Sequence, residues 1–318
     1  MTRFVFAEQT ERLKDMAKIV GIGACVFDTL YNVSTYPKED TKNRADSSTC
    51  AGGGPVATGL VAASKLGADT AYVGVLSDDS AGAFLKRDFE KYGVDTAFCD
   101  VESGYRSFAS VLWLCRDTAT RTCVFDRGNL PALALDNAKK KAIADADILM
   151  VDGNELAAAV EAAKIARQNG TVVLYDCGGL YAGVEQLLAL TDIMIPSEEF
   201  ALGHTGKGCA EDAARALFET YSPRVVVITQ GKKGGIIYDG NKAMSYPVFP
   251  VTVVDSNGSG DVFHGAFAAG LTRGYDFYKC CIFASATSAI KCTGVGARQS
   301  APNFESVASF LKENGYEL

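Results

Sequence analysis

The chain has 318 residues, 48% of them hydrophobic, and a formal net charge of −7. That length supports one large α/β domain or two smaller ones, and either buries a core that holds without staples. The acidic balance lacks the basic footprint of a nucleic-acid binder and favours a cytoplasmic protein acting on a small molecule.

The ten cysteines are scattered singly, apart from the adjacent Cys280 and Cys281, and no CxxC occurs. The two histidines, His204 and His264, have no ligand-like spacing to a cysteine. Reduced, mostly buried thiols are therefore expected, not a disulfide or metal framework. Residues 1–18 are charged and lack a continuous apolar stretch, so no secretory signal is expected there. No apolar run in the chain approaches the ~18 residues of a membrane span.

In chain order, residues 19–27 form an apolar run that ends at Asp28 and predict a buried strand. Residues 55–66 predict a helix, with Pro55 in its first turn and Gly67 as its stop. A strand over 71–76 and a helix over 80–92 follow. Beyond Ala132, short β-branched runs at 148–151, 172–175, 193–195 and 225–229 alternate with helical patterns at 154–168 and 210–219. This alternation implies a largely parallel sheet covered on both faces. Two segments break the rhythm. Residues 29–50 are polar and turn-rich, and residues 96–126 read as consecutive strands with no helix between them. They predict a small flap beside the sheet, serving as a water-excluding lid or as a dimer surface.

The most informative stretch is Asp255-Ser-Asn257-Gly258-Ser259-Gly260-Asp261. It follows a strand-like segment, 248–254, and opens an apolar helix. Glycines at a helix start expose main-chain amides, and the dipole adds to their pull on an anion. A carboxylate beside an anion site suits a base that takes a proton while a phosphoryl group moves nearby; the same pattern also fits a plain N-cap. Gly52-Gly53-Gly54 before the 55–66 helix allows close ligand approach, or simply a flexible turn. Thr229, Gly231 and Gly234 follow a strand end, where α/β sheets hold ligands; a hairpin turn is the alternative. Gly21-Ile-Gly23 lacks the third glycine of a dinucleotide fingerprint, and residues 203–208, GHTGKG, lack the spacing of a P-loop.

Together and in order, these motifs resemble the PfkB (ribokinase-like) carbohydrate kinase family over residues 19–297. Tyr36-Pro-Lys-Glu-Asp40 and Arg121-Thr122 further resemble its ketohexokinase-like branch. The resemblance implies a ribokinase-like three-layer α/β fold over residues 1–318, with a largely parallel sheet and a β lid from insertions about 29–50 and 96–128. It implies ATP-dependent phosphorylation of a sugar hydroxyl, with Asp261 as base and Gly258, Ser259 and Gly260 as anion hole. Asp28, Gly53, Gly54, Thr58 and Arg121 would meet the substrate, and Thr229, Gly231 and Gly234 would meet ATP. Mg²⁺ and a monovalent cation such as K⁺ are implied cofactors, with Glu199, Asp255 and Asn257 as candidate metal contacts. A homodimer through the lid is also implied. The sugar would be a ketohexose, a pentose or a related small sugar.

Two departures stand out. Thr58 replaces the asparagine common in the Gly-Gly helix, and Ser197-Glu198-Glu199-Phe200 lacks the terminal glutamate of the family's N-x-x-E motif, so that Glu199 would substitute one position early. The alternatives are a non-catalytic sugar or nucleotide sensor and a nicotinamide-dependent oxidoreductase using Gly21 and Gly23.

Overall fold

The computed structural model describes residues 18–118 and 120–317; residues 1–17, most of the stretch without a signal pattern, lie outside them. The elements run β1 (Lys18–Ile22), β2 (Val26–Val33), β3 (Ser47–Gly53), α1 (Pro55–Lys65), β4 (Asp69–Ser77), α2 (Ser80–Lys91) and β5 (Asp95–Glu102). Next come β6 (Ala109–Cys115), β7 (Thr120–Asp126), α3 (Asn137–Ala144), β8 (Ile148–Val151), α4 (Leu156–Asn169), β9 (Val172–Cys177), α5 (Glu185–Leu188), β10 (Ile193–Pro196) and α6 (Glu198–Thr205). The chain ends with α7 (Ala210–Tyr221), β11 (Val225–Thr229), β12 (Gly235–Tyr238), β13 (Ala243–Tyr246), α8 (Ser259–Thr272), α9 (Phe277–Lys291), α10 (Ala297–Ser300) and α11 (Phe304–Glu313).

Nine strands form the central sheet in the order β13-β12-β11-β10-β9-β8-β1-β4-β5. It is parallel from β11 to β5; β12 and β13 add an antiparallel hairpin at one edge. Side chains alternate across it, so each strand feeds two cores. Ile19 packs with α1, α8 and α9 on one face, while Val20 and Ile22 pack with α4, α6 and α7 on the other. A second, four-stranded sheet, β3-β2-β6-β7, has its own small core of Leu30, Ala51 and Leu112.

Four expectations change. The apolar run 19–27 is not one strand: it breaks at Gly23, so Asp28 sits inside β2 of the second sheet. The break is held by Asp152, whose carboxylate accepts from the Ala24 amide at 2.9 Å; a β-carbon on Gly23 would strike that carboxylate. Residues 95–102 pair in parallel with β4 at the edge of the central sheet, so only β6 and β7 of the expected 96–126 insertion reach the second sheet. Residues 248–254 are irregular, not a strand, because Pro247 and Pro250 offer no amides for a ladder. The ten cysteines are free, as expected, but five are buried and Cys50, Cys123 and Cys209 are exposed.

Helices α1 and α8 touch backbone to backbone. A β-carbon on Gly265 would fall on the Gly59 carbonyl, and one on Gly59 would stand 3.3 Å from the Asp261 carbonyl. This contact brings the two helix starts together. Replacing Gly265 by alanine gains helix propensity of up to ~1 kcal/mol, but overpacking against backbone costs about 1–3 kcal/mol or more. Gly265→Ala should therefore lower the urea midpoint of unfolding; an unchanged or raised midpoint would show that the two helices separate without cost.

Candidate active site

Helix α8 begins at Gly258, whose φ of 72° lies in the left-handed region that glycine adopts without a Cβ penalty. Asp261 stands in its first turn. The Ser259 amide donates to the Ser256 carbonyl at 3.2 Å, so the turn itself takes one of the expected anion-hole donors. The Gly260 and Asp261 amides that follow have no intrahelical acceptor, and the ladder begins with Val262 donating to the Gly258 carbonyl at 3.0 Å. Gly260 is exposed, and a β-carbon there would meet no neighbour. Behind this turn, His264 faces the Gly260 carbonyl (2.6 Å) and the Asp176 carboxylate (3.3 Å) through Nδ1, and the Ile195 carbonyl (2.9 Å) through Nε2.

Helix α1 begins at Gly54, with φ 93° and no side-chain cap. Asp152 supplies one from across the sheet, accepting from the Val56 amide at 3.2 Å. Asp28 lies against Gly53 so closely that any side chain at 53 would strike its carboxylate. Its strand neighbour Ser110 donates to Oδ1 at 2.5 Å. Arg298, fully buried, donates to the Gly53 carbonyl and to Asp88, each at 2.7 Å, and lies over Phe89. It locks the end of β3 to α2 and α10.

Two cavities meet at the start of α8. The smaller, about 200 Å³, is lined by Asp28, Gly53, Gly54, Thr58, Arg121 and Asp261, with Asn257 at its edge. The larger, about 520 Å³, is lined by Thr229, Gly231 and Gly234 on one side and Ser259, Gly260 and Phe263 on the other. The expected substrate residues are thus gathered at one cavity and the expected nucleotide residues at the other. Thr58 is fully buried, and its hydroxyl has no hydrogen-bond partner among the described residues. Such a donor is costly unless something satisfies it.

The site concentrates desolvated acids. Burial pushes Asp28 up to about 6, against the pull of the Ser110 hydroxyl and the Arg298 guanidinium. Burial also raises Asp261 above its ordinary value, while His264, Arg121 and Lys291 pull it back. Asp152 and Asp176 are raised by burial as well, His264 offsetting part of the effect on Asp176. Sequence patterns singled out neither of these last two; each only ends a β-branched run, as Asp28 was thought to do.

Of the candidate metal contacts, Asp255 and Asn257 lie together and Glu199 stands on a separate element. Asp255 is buried, with its carboxylate accepting from the Asn257 amide (2.8 Å) and the Gly296 amide (2.9 Å). The Lys291 ammonium donates to the Asp255 main-chain carbonyl at 2.6 Å. Glu199 is exposed on α6, and it is Glu198 that reaches the Thr229–Gly234 turn, accepting from Gln230 at 2.6 Å. The reason is the helix start: Ser197 caps α6, and Phe200 turns into the core. Among the described residues, no group of three His, Cys, Asp or Glu could hold a metal ion. Gly21 and Gly23 of the supposed dinucleotide fingerprint are packing positions, against Leu60 and Asp152.

The family profile described as pfkB family carbohydrate kinase matches residues 16–303. A ribokinase from Haemophilus influenzae is 27% identical over 298 residues, covering 92% of this chain and 97% of that protein. A 5-dehydro-2-deoxygluconokinase from Clostridium perfringens is 27% identical over 326 residues, 94% of each chain. Among solved structures, a ribokinase from Thermotoga maritima superposes with a TM-score of 0.80 at 25% identity, covering 93% of this chain and 99% of that one. The architecture above is therefore the ribokinase-like α/β fold. No helix among the described residues is long and apolar enough to cross a membrane.

Asp28 gives a stability test. Its carboxyl rises from 3.8 to about 6 on folding, so the folded form holds its proton more tightly than the unfolded chain. The cost of the charged form grows as pH rises from about 4 and is complete above about 6. Asp28→Asn removes that charge and should stabilise the fold at pH 8 by about 2–3 kcal/mol, with the gain fading toward pH 4. Urea unfolding at both pH values checks this; an equal difference at both would contradict the desolvation account.

Proposed function

The chain belongs to the pfkB family of carbohydrate kinases, and we propose that it transfers the terminal phosphoryl group of ATP to a hydroxyl of a pentose, a ketohexose or a related small sugar. The observation that carries this reading is the meeting, at the start of α8, of a small cavity that holds Asp28, Arg121 and Asp261 and a larger one bordered by Thr229, Gly231 and Gly234. The larger falls within the ~300–1,000 Å³ of ordinary ligand pockets and suits a nucleotide; the smaller lies below that range and suits a monosaccharide.

In this reading Asp28 accepts hydrogen bonds from sugar hydroxyls and the lone Thr58 hydroxyl gains its missing partner. Asp261 faces the reacting hydroxyl. A sugar hydroxyl is far too weak an acid to be ionised in advance, so Asp261 takes the proton as the new O–P bond forms. His264 and Arg121 pull Asp261 toward its charged, proton-accepting form against the desolvation that raises it. The amides at the α8 start, Gly260's above all, meet the phosphoryl oxygens where charge builds up, and the helix dipole adds to them. Thr229, Gly231 and Gly234 border the nucleotide. Mg²⁺ brought in with the nucleotide would supply charge neutralisation, and such an ion would need only one or two carboxylates from the chain. Glu198, fixed by Gln230, is one candidate for that part in place of Glu199.

The second sheet acts as the lid in this reading, because β7 carries Arg121 to the small cavity and closure excludes water from the transfer. All seven residues of β7 are exposed, Val124 and Phe125 more than half, which gives a second copy an apolar edge to cover.

The test is ATP-dependent product formation against a panel of pentoses and ketohexoses. With the best substrate, Asp261→Asn should lose turnover by roughly 10²–10⁴-fold, with nucleotide affinity changed by no more than a few fold. Near-normal turnover would remove Asp261 as the base. Asp28→Ala should raise KM for the sugar far more than KM for ATP; equal effects on both would take Asp28 out of the sugar site.

A further inference from the structure

Lys291 ends α9 behind the turn that opens α8. Its side chain is fully buried. Burying a lysine gives up rotamer freedom and the hydration of an ammonium, so such a residue persists only where its charge is answered. Here the answer is local: Nζ donates to the Asp255 main-chain carbonyl at 2.6 Å and lies 3.7 Å from Asp255 Oδ2. The same carboxylate accepts from the amides of Asn257 and Gly296, so Asp255 ties the 255–260 turn to the 292–296 loop. The Val254 and Asp255 amides both donate to the Cys292 carbonyl and close the junction. Burial lowers the Lys291 pKa, and Asp255, Cys292 and Asp261 hold it up.

A free monovalent cation seated on Asp255 would need oxygens that are already engaged. The Asp255 main-chain carbonyl accepts from Lys291, and the Asp255 carboxylate faces the same ammonium. The residues present do not fit that ion. We propose that Lys291 is a built-in cation that replaces a free monovalent ion beneath the α8 turn. Its ammonium holds the Asp255 carbonyl, and through it the segment from Gly258 to Asp261, with no need for K⁺. Lys291 touches neither cavity, so it acts as a positioning residue. Only its bearing on turnover rests on the kinase reading; its bearing on cation binding does not.

The test compares thermal unfolding of the parent protein, Lys291→Ala and Lys291→Met, with KCl replaced stepwise by tetramethylammonium chloride at fixed ionic strength. The parent should melt at the same temperature in both salts. Lys291→Ala, which opens space beside two oxygens, should melt lower in tetramethylammonium and recover most of the loss in KCl, because carbonyl and carboxylate oxygens can replace the hydration shell of K⁺. Lys291→Met fills the space with an apolar chain and should melt lower in both salts. A lysine with only a packing role would not be rescued by a small cation. A K⁺-specific rise in the parent's melting temperature, or an alanine variant that melts alike in both salts, overturns the proposal. If the alanine variant is unfolded in tetramethylammonium, refolding in KCl supports the proposal, and failure in both salts overturns it. Phosphorylation of the panel sugars by the parent should also be equal in the two salts. Absence of turnover in both would count against the kinase reading, and the melting results would still decide this one.

Discussion

Everything at the candidate site depends on how closely α1 and α8 approach. The two helices cross where Gly265 meets the Gly59 carbonyl, with no side chain between them. Their starts then lie side by side, one opening at Gly54 and the other at Gly258. Each start carries a left-handed glycine, and each presents the positive end of a helix dipole. Asp28 packs on Gly53 at the first start, and Asp261 rides in the first turn of the second. A wider crossing would separate the small cavity from the large one, and in-line transfer tolerates little misplacement.

Desolvation is the second organising force, and it works against stability. Asp28, Asp152, Asp176 and Asp261 are all raised by burial around one end of the parallel sheet. Each answers a different need. Asp152 caps α1 through the Val56 amide and holds the β1–β2 break through the Ala24 amide. Asp176 backs His264, which pins the α8 turn to β10. Asp28 and Asp261 face the small cavity. The compensating cations also come from separate elements: Arg298 from α10, Lys291 from α9 and Arg121 from β7. The fold thus keeps acids poised in a dry site by fixing cations behind and above them, an arrangement that gives up some stability for local electrostatics.

The parallel strands were legible because their signals are local. β8 and β11 match the β-branched runs residue for residue, and α1 and α2 end within a residue of the expected positions. Where the sequence misled, the deciding contact came from far along the chain. Nothing in residues 19–28 announces that Asp152, 128 residues beyond Ala24, will accept from the Ala24 amide and hold the break at Gly23. The apolar stretch 248–254 looks like a strand by composition, but Pro247 before it and Pro250 within it send it along the wall of the larger cavity. At the site, glycine-rich turns were visible because few other residues tolerate those backbone angles. The partners that tune the turns were not: Lys291 and Arg298 are single residues in helices with no motif around them, and His264, three residues past Asp261, has no ligand-like spacing. Glu199 was picked by counting from a family motif; the Ser197 cap sets the helix phase, and Glu198 is the residue that meets Gln230.

The most direct measurement is a crystal structure with a non-hydrolysable ATP analogue and the sugar that gives the fastest turnover. The terminal phosphate should rest on the amides at the start of α8, beside Gly260, with the nucleotide running past Thr229 and Gly234. A sugar hydroxyl should stand within about 2.6–3.2 Å of the Asp261 carboxylate while Asp28 holds its neighbours. A nucleotide bound away from the α8 start, or an Asp261 turned from both ligands, would contradict the geometry on which the proposed transfer rests.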